Sequence, residues 1–214
     1  MKAAVVLFIS TPLLGQAGIS IEKDVELALQ LYTTYVEELL SLFNGHPTID
    51  VLFSCEEKFQ SVLISNHFVR SKNCLVYSGS LGKKLAEITH YCGDYQDYDF
   101  IFICPKEFTL ITPALIESYI KRLQRTKRSV LVVSNNQQSL DLIGLNFPFQ
   151  TIYQDIIWQK DDVVGQIKTN LKHQSIPCIS VTSEIVWRTK AQYSEQMSSA
   201  YPKTCAILKG NLNS

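Results

Sequence analysis

The feature that most constrains the fold is a series of short, unbroken apolar runs that alternate with longer amphipathic segments. Val5 to Ile9, Phe100 to Cys104 and Val130 to Val133 contain no charged or amide side chain. A strand with one face in solvent would alternate apolar and polar residues, so these runs predict strands that are buried on both faces. Because helical crossovers supply such cover, we expect a single α/β domain with a Rossmann-like, mostly parallel sheet and helices on both faces.

Helical patterns separate the predicted strands. Glu22 to Phe43 repeats its apolar residues at the spacing of one helix face, and Asn44-Gly45 follows as a stop signal. Thr112-Pro113 places a capping hydroxyl and a proline where another helix would begin. The domain is expected to cover residues 1–208 and to leave 209–214 as a flexible tail. Further strands are predicted at 49–54, 74–77 and 178–181, further helices at 57–65, 81–91, 112–124 and 161–172, and a weak pattern at 193–197.

The composition argues against several classes of protein. Hydrophobic residues make up 46% of the 214 residues and charged residues 19%, which is typical of a globular chain. The 20 Lys and Arg residues balance 20 Asp and Glu residues, so no nucleic-acid partner is expected, because phosphate neutralisation needs a basic excess. No apolar run approaches the roughly 18 residues of a membrane span. The first apolar run is broken by Ser10-Thr11-Pro12, as at the end of a strand, and is therefore not interpreted as a signal peptide.

The spacing of the cysteines predicts no metal site. None of them forms a CxxC pair, so zinc-binding spacing is missing. Cys55, Cys104 and Cys178 lie in or beside apolar runs, and we expect them to be buried as small hydrophobic side chains. Free thiols fit a reducing compartment, and a cytoplasmic location is expected. The six are Cys55, Cys74, Cys92, Cys104, Cys178 and Cys205.

Signatures of several enzyme classes are missing from the sequence. It contains no HExxH or HxxxH spacing, no GxSxG elbow, no GxxxxGK[ST] loop and no GxGxxG fingerprint. The acidic and aromatic segment 91–99 is interpreted as a solvated connection. A basic cluster near the end of the helix after Pro113 is interpreted as complementing the helix dipole, with phosphate binding as the lesser alternative. Its members are Lys121, Arg122, Arg125, Lys127 and Arg128.

Partial motifs occur at the loops where a parallel sheet binds its ligands, beyond the carboxyl ends of its strands. Residues 8–15 read Phe-Ile-Ser-Thr-Pro-Leu-Leu-Gly and residues 80–84 read Ser-Leu-Gly-Lys-Lys. Further segments are Cys-Pro-Lys-Glu at 104–107, Thr-Pro at 112–113, Ile-Gly-Leu at 143–145, Trp-Gln-Lys at 158–160 and Arg-Thr at 188–189. In this order they resemble a bacterial glycosyltransferase-like family with the nucleotide-diphospho-sugar transferase fold. That family is distantly similar to the guanylyltransferases of phospholactate and molybdenum-cofactor synthesis.

The resemblance implies a nucleotidyl or nucleotide-sugar transferase with a donor site and an acceptor side. A nucleotide or nucleotide-sugar is then the implied ligand, and Mg²⁺ or Mn²⁺ takes part only if the donor site is active. Glu107 stands where the family has an Asp. It is therefore the acidic residue that remains of the donor site, and the one candidate metal ligand. The implied nucleotide-binding residues are Phe8, Ser10, Pro12, Gly15, Gly82, Lys84 and Glu107, and the implied acceptor-side residues are Gln137, Trp158 and Arg188.

Several positions depart from the pattern of the family. Its phosphate-binding Lys, and the Lys and Arg that follow, correspond here to Ser10, Gly18 and Ser20, so every cation of that loop is missing. An Asp-Gly-Gly stretch corresponds to residues 137–139, which read Gln-Gln-Ser. A metal-facing Asp corresponds to Arg188, which cannot bind a cation. We therefore expect a degenerate transferase-like protein, and the alternative is a non-catalytic binding or scaffold protein that keeps the fold.

Structural roles compete with these assignments. Pro12 and Gly15 can serve only to shape a turn, and Trp158 can be a core residue. Arg188 can form an ion pair with Glu107 that fills the position of the missing metal. Each alternative predicts different neighbours for the candidate residue that it concerns.

Overall fold

One mixed sheet lies at the centre of the molecule. The computed structural model describes residues 1–9, 25–55, 74–105, 110–158, 162–183 and 199–210. In these ranges seven strands hydrogen-bond in the order β3-β2-β1-β4-β6-β5-β7. They are β1 (Ala3–Ile9), β2 (Ile49–Cys55), β3 (Cys74–Val76), β4 (Phe100–Cys104), β5 (Val130–Ser134), β6 (Leu140–Leu145) and β7 (Cys178–Thr182).

Neighbouring strands of the described sheet pair in parallel except at β6, which is antiparallel to both β4 and β5. The prediction of a mostly parallel sheet is confirmed. No strand is predicted at 140–145, and the structure corrects this, because β5 and β6 form a hairpin there. Asp141 and Gly144 interrupt the apolar pattern of β6 and hide it from a search for unbroken apolar runs.

Helices cover both faces of the sheet, as predicted. One core lies between the sheet and α1, α3 and α5, and a second core lies between the sheet and α2 and α4. α5 is not predicted from the sequence, and it includes the first residues of the expected tail. The predicted helix at 57–65 and the pattern at 193–197 lie outside the described ranges. The described helices are α1 (Val25–Phe43), α2 (Leu81–His90), α3 (Pro113–Leu123), α4 (Val163–His173) and α5 (Pro202–Gly210).

The predicted helix starts are confirmed where the sequence supplies a cap. The Ser80 hydroxyl accepts a hydrogen bond from the backbone N–H of Lys83 at 3.4 Å, in the first turn of α2. At α3, Thr112 accepts from the N–H of Leu115 at 3.3 Å, and Pro113 is the first helical residue. These side chains satisfy N–H groups that have no partner within the helix.

The central strands β1 and β4 have no water on either face. Val5 and Phe102 lie in the core beneath α1 and α3, while Val6 and Ile103 lie in the core beneath α2 and α4. All four side chains are fully buried. This confirms the prediction that the unbroken apolar runs form strands covered on both sides. In the described ranges, no helix combines the length and apolar character needed to cross a membrane.

The segment 91–99 is more structured than the predicted solvated connection. α2 continues directly into a π-helical turn (Tyr91–Tyr95), in which Cys92 is fully buried. Burial raises the pKa of the Cys92 thiol to about 12. Tyr98 is half-buried, and its hydroxyl donates to the Asp50 carboxylate at 2.8 Å. Residues 94–97 and Asp99 are exposed, so the prediction holds only for part of the segment.

Two of the three cysteines predicted to be buried are buried. Cys55 and Cys104 lie in the core beneath α1 and α3. Cys178 is exposed, and the prediction for it was wrong. It begins β7, the last strand of the described sheet, whose residues alternate between exposed and half-buried positions.

A buried carboxylate on α1 holds the start of α5. Glu38 accepts hydrogen bonds from the backbone N–H of Lys203 at 2.6 Å and from the N–H and hydroxyl of Thr204 at 2.9 and 2.6 Å. Beside it, the Tyr201 hydroxyl donates to the carbonyl of Ile111 at 2.7 Å. The carboxylate thus caps a helix from another part of the chain and binds it to the core.

We predict that Glu38→Gln lowers the free energy of unfolding by about 2 kcal/mol, because hydrogen bonds to a charged group are worth roughly 1.5–3 kcal/mol. For a domain of this size, that corresponds to a fall in Tm of about 4–8 °C. Thermal unfolding followed by circular dichroism measures it. Glu37→Gln is the matched control, because Glu37 is the exposed neighbour on the same helix. Equal Tm values for the two variants would contradict the prediction.

Candidate functional site

The carboxyl ends of six of the seven described strands meet at one edge of the sheet, because only β6 runs the other way. The described parts of this edge are the start of α2, the turn between β5 and β6, and the segment that ends at Trp158. This is the edge where a sheet of this kind binds its ligands. We therefore place the candidate functional site here.

Two of the predicted site residues are in contact. A Cβ built on Gly82 would lie 2.7 Å from the indole nitrogen of Trp158 and 3.1 Å from the carbonyl oxygen of Tyr153. No real Cβ contact is as short as the first of these, so the indole can pack on this turn only because residue 82 has no side chain. The resemblance assigns Gly82 to the nucleotide and Trp158 to the acceptor side. The structure brings them together as one surface.

The first turn of α2 offers hydrogen-bond donors and positive charge. Ser80 has extended backbone and starts the helix, and the first turn contains no acidic residue. Lys83 forms an ion pair with Glu87 one turn later, at 3.7 Å. Lys84 is half-buried and lies two residues from Gly82. The N-terminus of a helix attracts anions through its free N–H groups and its dipole, and a lysine in the first turn adds to that attraction.

Aromatic side chains accompany this helix start. Phe8 near the end of β1, Tyr77 after β3, and Trp158 all pack, partly buried, against the core beneath α2 and α4. Burial raises the pKa of the Tyr77 phenol further above neutral pH. Partly exposed aromatic rings are surfaces on which planar groups such as nucleobases stack. Phe8 lies on the same face of the sheet as Gly82, and its role in nucleotide binding stays a prediction.

The turn between β5 and β6 is closed by a side chain. The Asn135 side-chain oxygen accepts from the N–H groups of Gln137 at 3.0 Å and Ser139 at 2.9 Å. Gln138 has a φ of 61°, in the left-handed region that favours glycine. Gln137 is exposed on this turn.

A buried carboxylate near this turn was missed in the sequence. Asp141 is fully buried at the bulge where the β5–β6 register shifts. Burial raises the pKa of the Tyr119 phenol on α3, the negative charge of Asp141 adds to this effect, and a hydrogen bond with Ser183 opposes it. A charged residue inside the otherwise apolar run 140–145 is the signal that could have identified it.

Two thiols lie at the same edge, where β2 ends and β3 begins. The Sγ atoms of Cys55 and Cys74 are 3.2 Å apart, and both cysteines are buried and form no disulfide. The hydrogen bond from Cys55 lowers the pKa of the Cys74 thiol, against the opposing effect of burial. The pair flanks the segment 56–73, which lies outside the described ranges.

The remaining predicted site residues lie outside the described ranges. They are Ser10, Pro12, Gly15, Glu107 and Arg188. The predicted ion pair between Arg188 and Glu107 therefore remains a prediction. Among the described residues, no group of three or more His, Cys, Asp or Glu side chains could hold a metal ion.

Comparisons with known proteins identify the fold. No protein-family model matches the sequence, and no curated protein matches it. A candidate nucleotide-diphospho-sugar transferase from Desulfovibrio desulfuricans G20 superposes with a TM-score of 0.76 at 14% identity, over 100% of this chain and 96% of that one. The 4-diphosphocytidyl-2C-methyl-D-erythritolsynthase from Anaerococcus prevotii DSM 20548 has a TM-score of 0.54 at 9% identity, over 94% and 95% of the two chains. A CMP:2-keto-3-deoxy-manno-octonic acid synthetase complexed with CTP has a TM-score of 0.50 at 11% identity, over 86% and 91%.

The chain therefore has the nucleotide-diphospho-sugar transferase fold, as the resemblance implies. Its structural neighbours are nucleotidyl and nucleotide-sugar transferases, so the fold is transferase-like. At identities this low, the likeness concerns the fold and not the chemistry.

The contact between Gly82 and Trp158 can be tested by substitution. We predict that Gly82→Ala lowers the free energy of unfolding by about 1–3 kcal/mol, because the added methyl group displaces the indole. The higher helix propensity of alanine offsets about 1 kcal/mol of this. In a Trp158→Leu background, Gly82→Ala should be nearly neutral. Chemical denaturation of the four proteins gives the coupling energy, which we expect to be on the order of 1 kcal/mol. Additive effects would show that the methyl group added at residue 82 does not contact the Trp158 indole.

Proposed function

We propose that this chain is a nucleotidyl or nucleotide-sugar transferase-like protein that binds a nucleotide or nucleotide-sugar at the carboxyl edge of its sheet. The observation that carries the proposal is the surface formed by the first turn of α2 and Trp158, with Lys84 in the same turn of the helix. The fold supports it, because one structural neighbour is a synthetase complexed with CTP.

The proposed binding mode follows from the chemistry of this surface. A phosphate group would accept hydrogen bonds from N–H groups in the first turn of α2 and would be attracted by the ammonium group of Lys84. The planar base would stack on the partly buried rings of Phe8, Tyr77 or Trp158. Gly82 allows this arrangement, because any side chain there would displace the indole.

The proposal includes Mg²⁺ or Mn²⁺ only if the donor site is catalytically active. The resemblance supplies Glu107 as one ligand, and among the described residues no group of three or more His, Cys, Asp or Glu side chains could hold a metal ion. The second carboxylate of the resembling family corresponds to Arg188, which cannot bind a cation, so we assign no catalytic step to a metal.

The second candidate is a non-catalytic binding or scaffold protein that keeps the fold. Two observations favour it. The phosphate-loop cations of the resembling family correspond to Ser10, Gly18 and Ser20, which cannot neutralise a triphosphate. The β5–β6 turn is closed by Asn135, where the family has glycines that allow a ligand to approach the backbone.

Thermal-shift and calorimetric titrations with nucleoside triphosphates and nucleotide-sugars, with and without Mg²⁺ or Mn²⁺, separate the candidates. A ligand present at about 100 times its Kd should stabilise the protein by about 2.7 kcal/mol, which raises Tm by about 5–10 °C. A flat result across the panel would refute nucleotide binding and support the scaffold candidate. Binding followed by release of pyrophosphate or nucleoside diphosphate would establish transfer.

We predict that Lys84→Gln weakens binding of the best nucleotide by about tenfold, or 1.4 kcal/mol, because it removes a charge beside the phosphate. Lys172→Gln is the matched control, because Lys172 is an exposed lysine in the last turn of α4. The Tm of each unliganded variant shows whether it folds normally. If the two variants bound nucleotide equally well, the ligand would not lie at α2.

A further inference from the structure

A cavity of about 680 Å³, termed the second cavity because it lies apart from the candidate functional site, opens at the opposite edge of the sheet. It lies where β5 and β7 begin and β6 ends. Four connections line it: the π-helical turn between α2 and β4, the turn between α3 and β5, the segment after β6, and the turn between α4 and β7. Its volume falls in the range of sites for small organic ligands, roughly 300–1,000 Å³.

Two cations line this cavity without an ionic partner. Lys127 and Arg128 are exposed, and within the described residues neither forms an ion pair. Both lie beyond the end of α3 at Leu123, whereas the helix dipole acts only within the last turn. The interpretation that the basic cluster complements this dipole therefore does not explain them. Phosphate binding is the other interpretation that the sequence left open for them.

Arg128 is held in place from two directions. Its guanidinium carbon lies 3.9 Å from the ring centre of Phe147 and 5.7 Å from that of Phe149. Its φ is 51°, a left-handed conformation that residues other than glycine rarely adopt. Such backbone is retained where the surroundings fix it. The guanidinium is therefore positioned at the cavity before any ligand arrives.

The facing wall is polar and also fixed. Gln150 Nε2 donates to Asp94 Oδ2 at 3.1 Å, and His90 Nδ1 contacts the same oxygen. Thr151 donates its hydroxyl to Gln174 Oε1 at 2.5 Å. Within the described residues, these bonds leave Gln174 Nε2 as an open donor, and Gln150 Oε1 and Asp94 Oδ1 as open acceptors.

We propose that this cavity binds a sugar phosphate. The phosphate would pair with Lys127 and Arg128, because a guanidinium presents a fork of donors that matches phosphate oxygens. The sugar hydroxyls both donate and accept, and would meet the amides of Gln150 and Gln174 and the Asp94 carboxylate. The C–H face of the sugar would pack against the exposed part of Phe147, which is 39% exposed.

This site does not depend on the proposed nucleotide site. The two lie at opposite ends of the strands, which for a five-residue strand such as β5 are separated by roughly 15–17 Å. A nucleobase is a poorer match for the cavity, because the Arg128 guanidinium already covers one face of the Phe147 ring. A sugar offers the hydroxyl groups that the polar wall can bind.

Isothermal titration with glucose 1-phosphate, glucose 6-phosphate and ribose 5-phosphate tests the proposal on the full chain. Inorganic phosphate, glucose and AMP serve as comparison ligands. We expect saturable binding of at least one sugar phosphate and weaker binding of all three comparison ligands. The double variant Lys127→Gln/Arg128→Gln should weaken that binding by about tenfold or more. Gln174→Leu should weaken the binding of the sugar phosphate and leave the binding of inorganic phosphate unchanged.

Matched variants show whether a change in binding comes from the residues that line the cavity. Arg125→Gln removes a charge from the same basic cluster but outside the cavity lining, and should have no effect. Arg128→Lys keeps the charge and should bind better than Arg128→Gln. Lys84→Gln should also leave sugar-phosphate binding unchanged, which separates this site from the proposed nucleotide site. The Tm of each free variant confirms that it is folded.

Four results would overturn the proposal. The first is no saturable binding of any of the three sugar phosphates with a Kd below about 1 mM. The second is inorganic phosphate or AMP binding as tightly as the sugar phosphate. The third is loss of binding in Arg125→Gln or Lys84→Gln. The last is unchanged binding in the double variant at Lys127 and Arg128.

Discussion

The architecture depends on the burial of β1 and β4 on both faces. Side chains such as Val6 and Phe102 are fully buried, so these strands leave no face on which polar chemistry could lie. Functional groups are therefore confined to the ends of the strands. Because six of the seven described strands run the same way, one edge collects carboxyl ends and helix starts, and the other edge collects helix ends and strand beginnings.

The reversed strand β6 links these two edges. A Cβ on Gly144 would lie 2.9 Å from the Phe102 ring, so the missing side chain allows β6 to pack beside β4 in the middle of the sheet. The start of the strand places Asp141 at the carboxyl edge. The segment that follows its end places Phe147 and Phe149 in the wall of the second cavity. A single antiparallel strand thus supplies residues to both candidate sites.

The fold could be predicted from the sequence where local chemistry decides it. Unbroken apolar runs identify buried strands, and Thr112 and Ser80 identify helix starts, because each cap acts within one turn. What depends on partners distant in sequence could not be predicted. The contact of Gly82 with Trp158 needs the whole sheet, and the exposure of Cys178 depends on β7 being the last described strand. Of the candidate site, the structure describes Phe8, Gly82, Lys84, Gln137 and Trp158.

The electrostatics of the carboxyl edge set the expected character of nucleotide binding. With Ser10, Gly18 and Ser20 at the positions of the family's cations, attraction in the proposed nucleotide site would come chiefly from the start of α2 and Lys84. A helix terminus contributes roughly 0.3–1 kcal/mol to an exposed anion, which is less than a set of buried cations would supply. Salt screens exposed charges beyond about 8 Å at physiological ionic strength. Stacking on Trp158 and its aromatic neighbours must then supply most of the affinity. The affinity at this edge would therefore depend more on the identity of the base than on the number of phosphates. In proteins whose phosphate loop contains Lys and Arg, the number of phosphates would matter more.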